Sequence, residues 1–87
     1  MTAEQLAMVL YLLHEMVEYQ RSRRHKRNIP PSVPYIKWRV AVRWISYRSK
    51  MPPATVIEAL KSLIDFECVK ASHDRKKIRP IKLTVII

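Results

Sequence analysis

Apolar residues recur at helical spacing through the first quarter of the chain. Leu6, Val9, Leu10, Leu13, Met16 and Val17 fall at i, i+3, i+4 and i+7 positions, which predicts one helix over residues 2–24. Thr2 suits the N-cap, Glu4 the positive end of the helix dipole, and the Arg21–Arg27 cluster its negative end. Ala7, Met8, Tyr11 and Leu12 make the other sides of the first turns apolar as well. A helix that is greasy nearly all round is normally buried all round, and a domain of 87 residues has little with which to wrap it. This predicts an association helix in which Leu6, Met8, Val9, Tyr11, Leu12, Leu13 and Met16 face a second copy or a protein partner. A helix sunk in its own core, with a few apolar side chains left outside, is the alternative.

Pro30, Pro31 and Pro34 forbid continuation of that helix and favour extended backbone, so Ile29–Tyr35 is a candidate for a short edge strand. Residues 35–48 satisfy two patterns at once. Trp38, Val40, Val42 and Trp44 alternate with Lys37, Arg39 and Arg43 as in a strand. Ile36, Val40, Ala41, Trp44 and Ile45 equally form a helical stripe that assigns Trp44 to the core, with Arg39 and Arg43 off it. Pro52 and Pro53 open a further helix through Ala54–Phe66, with Val56, Ile57, Leu60, Leu63 and Ile64 as its buried stripe. Cys68–Ala71 and Ile78–Ile87 read as two strands, joined by the basic turn Ser72–Lys77.

Charge divides the chain. Residues 1–20 carry Glu4, Glu15 and Glu18 and no Lys or Arg, a sum of −3. All 17 Lys and Arg follow, against Glu58, Asp65, Glu67 and Asp74, a sum of +13 that leaves the chain at +10. A basic surface gains affinity for nucleic acid by releasing condensed counterions, whatever the base sequence. One end is thus suited to protein and the other to polyanion.

Two absences narrow the chemistry. The chain has no glycine, which excludes Gly-rich phosphate loops and dinucleotide fingerprints and leaves positive-φ turns to Asn, Asp or His. His73 and Asp74 are the candidates for that role in the basic turn. The single Cys68 has no partner for an internal disulfide and no His or Cys cluster around it, so a small core residue is expected. Few amides and abundant charge hint at a thermophilic source. No secretory signal is visible, and the longest apolar run, Leu6–Leu13, falls short of the ~20 residues that span a bilayer. The expectation is a cytoplasmic, nucleoid-associated protein with no membrane partner. His14, His25 and His73 are scattered and no acid–base dyad is evident, so neither an enzyme nor a metal or other cofactor is expected.

Helix, tight connection, helix and strand–basic turn–strand hairpin form the order in which residues 34–87 resemble the winged helix-turn-helix family. The stretch PPATVIEALKSLIDFECVKASHDRKKIRPIKLT carries the likeness: a small residue and Thr lead into Val56, Ala59-Leu60 and Leu63 follow at core spacing, Val69 begins the wing and Leu83-Thr84 closes it. It implies a single α+β domain, mostly helical, with a long N-terminal helix and a C-terminal β-hairpin wing. It also implies a helix over residues 35–48. Where the family commonly has glycine before the wing this chain has Glu67-Cys68, and its connection Tyr47–Pro52 is long and basic.

The resemblance implies that Ala54, Thr55, Glu58, Lys61 and Ser62 of the third helix face the major groove. It sets Arg75, Lys76, Lys77 and Arg79 of the wing near phosphates. Arg39, Arg43, Arg48 and Lys50 are further candidates for the DNA backbone, which fix position rather than sequence. Tyr35, Trp38 and Tyr47 are candidates for stacking or for the rim of the core. The expected function is duplex-DNA binding by a homodimeric transcription regulator or architectural factor. The alternative is an accessory subunit of a replication, transcription or ribosomal complex that uses the fold for protein contacts.

Overall fold

In a computed structural model of the chain, which describes residues 1–28 and 33–85, the first helix begins on a reciprocal cap. The Gln5 N–H donates to the Thr2 hydroxyl at 3.2 Å, and the Thr2 N–H donates to the Gln5 side-chain carbonyl at 3.0 Å. Two of the donors that open a helix without partners are thereby satisfied. The elements are α1 (Ala3–Lys26), β1 (Ile36–Lys37), α2 (Trp38–Ser49), α3 (Pro53–Asp65), β2 (Val69–Ala71) and β3 (Lys77–Pro80). The strands form one antiparallel sheet in the order β1-β3-β2.

The core lies where α1, α2, α3 and the inner face of the sheet converge. Leu10, Leu13 and Val17 of α1 meet Ala41 and Ile45 of α2, and Val56, Leu60 and Leu63 of α3. Ile36, Val69 and Ile78 close it from the sheet. Each fully buried aliphatic side chain of this kind contributes about 1.5–3 kcal/mol. The predicted partner surface changes accordingly. Leu6, Val9, Leu12 and Leu13 are buried in the chain's own core, and Met16 packs on it. Only Met8 and Tyr11 of that set stay open, at 48% and 56% exposure.

The ambiguous stretch resolves into both patterns in succession. Ile36 and Lys37 pair with Ile78 and Lys77, and the backbone turns helical at Trp38. The Trp38 N–H donates to the Lys76 carbonyl at 2.6 Å, so the hairpin serves an opening turn that has no side-chain cap. Of the predicted edge strand Ile29–Tyr35, residues 33–35 are outside any strand and residues 29–32 lie outside the described residues. α2 runs on to Ser49, so the expected connection over residues 47–52 shrinks to residues 50–52. Lys50 turns the chain with φ 61°, and the Ser46 hydroxyl donates to the Met51 carbonyl at 2.7 Å.

α3 ends on a left-handed residue. The Cys68 N–H donates to the Leu63 carbonyl at 2.9 Å and the Glu67 N–H to the Ile64 carbonyl at 3.0 Å, with Glu67 at φ 60°. This is the Schellman pattern, in which glycine usually takes the position that Glu67 holds. The last predicted strand stops early. Beyond Pro80 the Ile81 and Lys82 N–H groups both donate to the Cys68 carbonyl, which bends the chain out of the ladder. Ile81 and Leu83 are consequently exposed, and residues 86–87 lie outside the described residues. No helix among the described residues is long and apolar enough to cross a membrane.

Candidate nucleic-acid interface

The outward stripe of α3 runs through Ala54, Glu58, Lys61 and Asp65, all exposed, with Thr55 and Ser62 half-buried at its edge. It holds two carboxylates against one cation, a poor match to phosphate. The hairpin compensates. Arg75 lines a groove of about 500 Å³ together with Trp38, Lys61, Ile64, Asp65 and Ala71. The hairpin tip and the third helix therefore share a surface.

The tip is shaped by two short polar side chains. The Ser72 hydroxyl donates to the Asp74 carboxylate at 2.6 Å, and the Lys76 N–H donates to the same oxygen at 3.2 Å. The Ser72 hydrogen bond first, and that backbone N–H second, hold the Asp74 carboxyl below its ordinary value of 3.8. The positive φ that was expected of His73 or Asp74 belongs instead to Arg75, at 58°. The fixed loop presents Arg75, Lys76 and Lys77 to solvent, and Arg79 lies 4.9 Å from the centre of the Tyr35 ring. Among the described residues none of these four cations pairs with a carboxylate.

Two further cations join them only through register. Lys37 stands opposite Lys77, and Lys70 opposite Arg79. Ile36, Ile78, Val69 and Pro80 fill the alternate positions and are buried, so the four cations share the outer face of the sheet. Sequence reasoning missed Lys37 and Lys70 as candidates, because cross-strand pairing cannot be read from spacing along one strand.

α2 adds a second cationic face. Arg39 and Arg43 are exposed and line a groove of about 480 Å³ with Trp38, Val42, Tyr47 and Pro53. Arg48 is turned elsewhere: it pairs with Glu15 of α1 at 3.5 Å and lies 5.5 Å from the Trp44 ring centre. Lys50 is exposed at its left-handed turn. The assignment of Trp44 to the core is wrong, for it is 40% exposed, and Val40 beside it is exposed too. A 12-residue helix backed by α1 and α3 buries only Ala41 and Ile45 outright, leaving the flanks of its apolar stripe at the surface. Trp38 is half-buried and Tyr47 is 76% exposed.

Cys68 is buried, and its thiol donates to the Thr84 carbonyl at 3.0 Å. Burial lowers the pKa of His14, against a smaller opposing effect of Glu18, and its Nε2 has no hydrogen-bond partner among the described residues. No three of His, Cys, Asp and Glu among the described residues are grouped to hold a metal ion. Comparison of the chain with protein-family models, with curated proteins and with solved structures finds no match in any of the three.

Proposed function

We propose that this chain is a winged-helix nucleic-acid-binding protein that grips the phosphate backbone of duplex DNA. The observation that carries this reading is the shared groove of the hairpin and α3, lined by both Arg75 and Lys61, with no hairpin cation paired to a carboxylate among the described residues. The element order supports it. A short strand, two helices three residues apart, and a hairpin whose second strand pairs with that short strand follow the order in which residues 34–87 resemble the winged helix-turn-helix family. Arg75, Lys76, Lys77 and Arg79 take phosphates from one side of α3, and Arg39, Arg43 and Lys50 from the other. Ala54, Thr55, Glu58, Lys61 and Ser62 lie toward the groove. Glu58 can accept from cytosine N4, but one cation on that stripe gives little base reading, so selectivity is weak and shape-based. This suits an architectural factor better than a highly specific regulator. Met8, Tyr11 and Tyr19 are the large exposed apolar or aromatic side chains of α1 that a second copy can use.

A second reading is favoured by Glu58 and Asp65, which repel phosphate and suit a basic protein. In it α3 docks on a partner subunit of a nucleoprotein complex, and the hairpin touches nucleic acid alongside. Mobility shifts of a duplex at several salt concentrations separate the two. The first reading expects retardation at low salt, and a log–log salt slope that falls by about 3 when Arg75, Lys76 and Lys77 are all replaced by Ala. Absence of any shift at low salt rejects it, and a slope unchanged in the triple variant removes the hairpin from the interface.

A further inference from the structure

We infer that the outer face of the sheet and the adjoining outer face of α2 form a second nucleic-acid surface, one that takes single-stranded nucleic acid. The inference rests on the nucleic-acid reading above; it shares Lys77, Arg79, Arg39 and Arg43 with that surface and adds Lys37, Lys70, Trp44 and Tyr47.

The strand register supplies the first reason. Lys37 faces Lys77 and Lys70 faces Arg79, and among the described residues no strand carries a carboxylate. Like charges directly opposite one another destabilise a sheet. The register is held by the buried positions between them, so the cations cannot slip apart without exposing Ile36 and Ile78. A polyanion laid across the face relieves this repulsion and releases counterions.

The second reason is what lies at the end of that face. Lys37 also lines a groove of about 550 Å³ on α2 with Arg39, Val40, Arg43, Trp44 and Tyr47. Trp44 and Tyr47 sit with ring centres 6.3 Å apart and planes tilted by 31°. α2 contains no Asp or Glu, and the carboxylate that pairs with it, Glu15, is held by Arg48 on the α1 side. A cationic track that leads to exposed aromatic rings is the arrangement that binds unpaired bases. Duplex DNA offers phosphates to such a surface but no base faces, because its bases are already stacked. The groove side chains are donors, with the Tyr47 hydroxyl also an acceptor, so the surface can meet either sugar and its selectivity is for unpaired over paired bases.

Fluorescence anisotropy with oligothymidylate, oligouridylate and a duplex of equal length, each about 20 nucleotides, tests the inference on the full chain. Tyr47→Ala is expected to weaken oligothymidylate binding by roughly 5- to 150-fold and to leave duplex affinity within about twofold. Tyr47→Phe retains single-strand binding, and Lys37→Ala with Lys70→Ala weakens it. Circular dichroism of each variant checks that the fold is intact. Single-strand affinity unchanged in Tyr47→Ala overturns the inference, as does an equal loss of duplex affinity in the same variant, and the tighter of oligothymidylate and oligouridylate names the sugar. Duplex binding without single-strand binding sinks this inference and leaves the proposed function standing. Single-strand binding alone does the reverse.

Discussion

At the scale of single residues, the hairpin shows how a chain without glycine turns. Asp74 shapes the loop with its carboxylate, which accepts from Ser72 and from the Lys76 N–H, while the neighbouring Arg75 takes the left-handed backbone. The folded chain thus binds the Asp74 proton less readily than the unfolded chain. Its contribution to stability is present above the ordinary value of 3.8 and is lost as pH falls through the lower folded value. Ser72→Ala is expected to move the Asp74 midpoint back up toward 3.8, as read from the carboxyl carbon shift against pH by NMR. A midpoint that stays put shows that the Ser72 hydroxyl is not what depresses it. The sequence made Asp74 recognisable as a turn residue, because Asp side chains bond to nearby backbone. It held no cue that Lys50, Glu67 and Arg75 adopt positive φ. Such residues take that conformation at a cost of about 1–2 kcal/mol and only where the surrounding structure imposes it. The Schellman bonds at Glu67 and the closed hairpin at Arg75 do so.

At the scale of elements, α1, α3 and the start of the hairpin were legible, whereas α2, β1 and the end of β3 were not. Spacing alone located α1 and α3 to within two residues at either end, because each keeps one apolar stripe for three or more turns. β1 is two residues long and exists because β3 offers it an edge, which no local pattern encodes. The alternation after Pro80 looked like strand, yet the Cys68 carbonyl draws the chain away. The candidate site divides in the same way: the hairpin cations stood out as a run, whereas Lys37 and Lys70 join them only by register. That register gives a test. Lys70→Glu sets a carboxylate opposite Arg79 and is expected to raise the melting temperature by about 1–5 °C while weakening nucleic-acid binding. A lowered melting temperature in the folded variant shows that the Lys70–Arg79 repulsion is not a cost to the sheet.

At the scale of the whole molecule, a net +10 is concentrated on an 87-residue body. Its carboxylates take little part in relieving this: Glu18 meets Arg21 at 3.0 Å at an exposed site, and the half-buried Glu15 meets Arg48 at 3.5 Å. Pairs of that kind contribute at most about 1 kcal/mol. Self-repulsion therefore opposes folding, and screening it helps. The melting temperature is expected to rise as sodium chloride increases from about 0.01 to 0.15 M, over which the Debye length shrinks from ~30 to ~8 Å. A fall over that range means that attractive pairs outweigh repulsion. Charge asymmetry was the plainest message of the sequence and needed no coordinates. The role of α1 was less plain, because an all-round apolar helix reads alike whether its own chain or another covers it. Here its own chain covers most of it.

The last buried residue of α1 is Val17, yet the helix continues to Lys26, about 13 Å further on. Its terminal cations are mounted on a stiff strut instead of a floppy tail. Their backbone is already ordered before any encounter, so whatever meets them does so at an angle set by the three-helix body and has only side chains left to order.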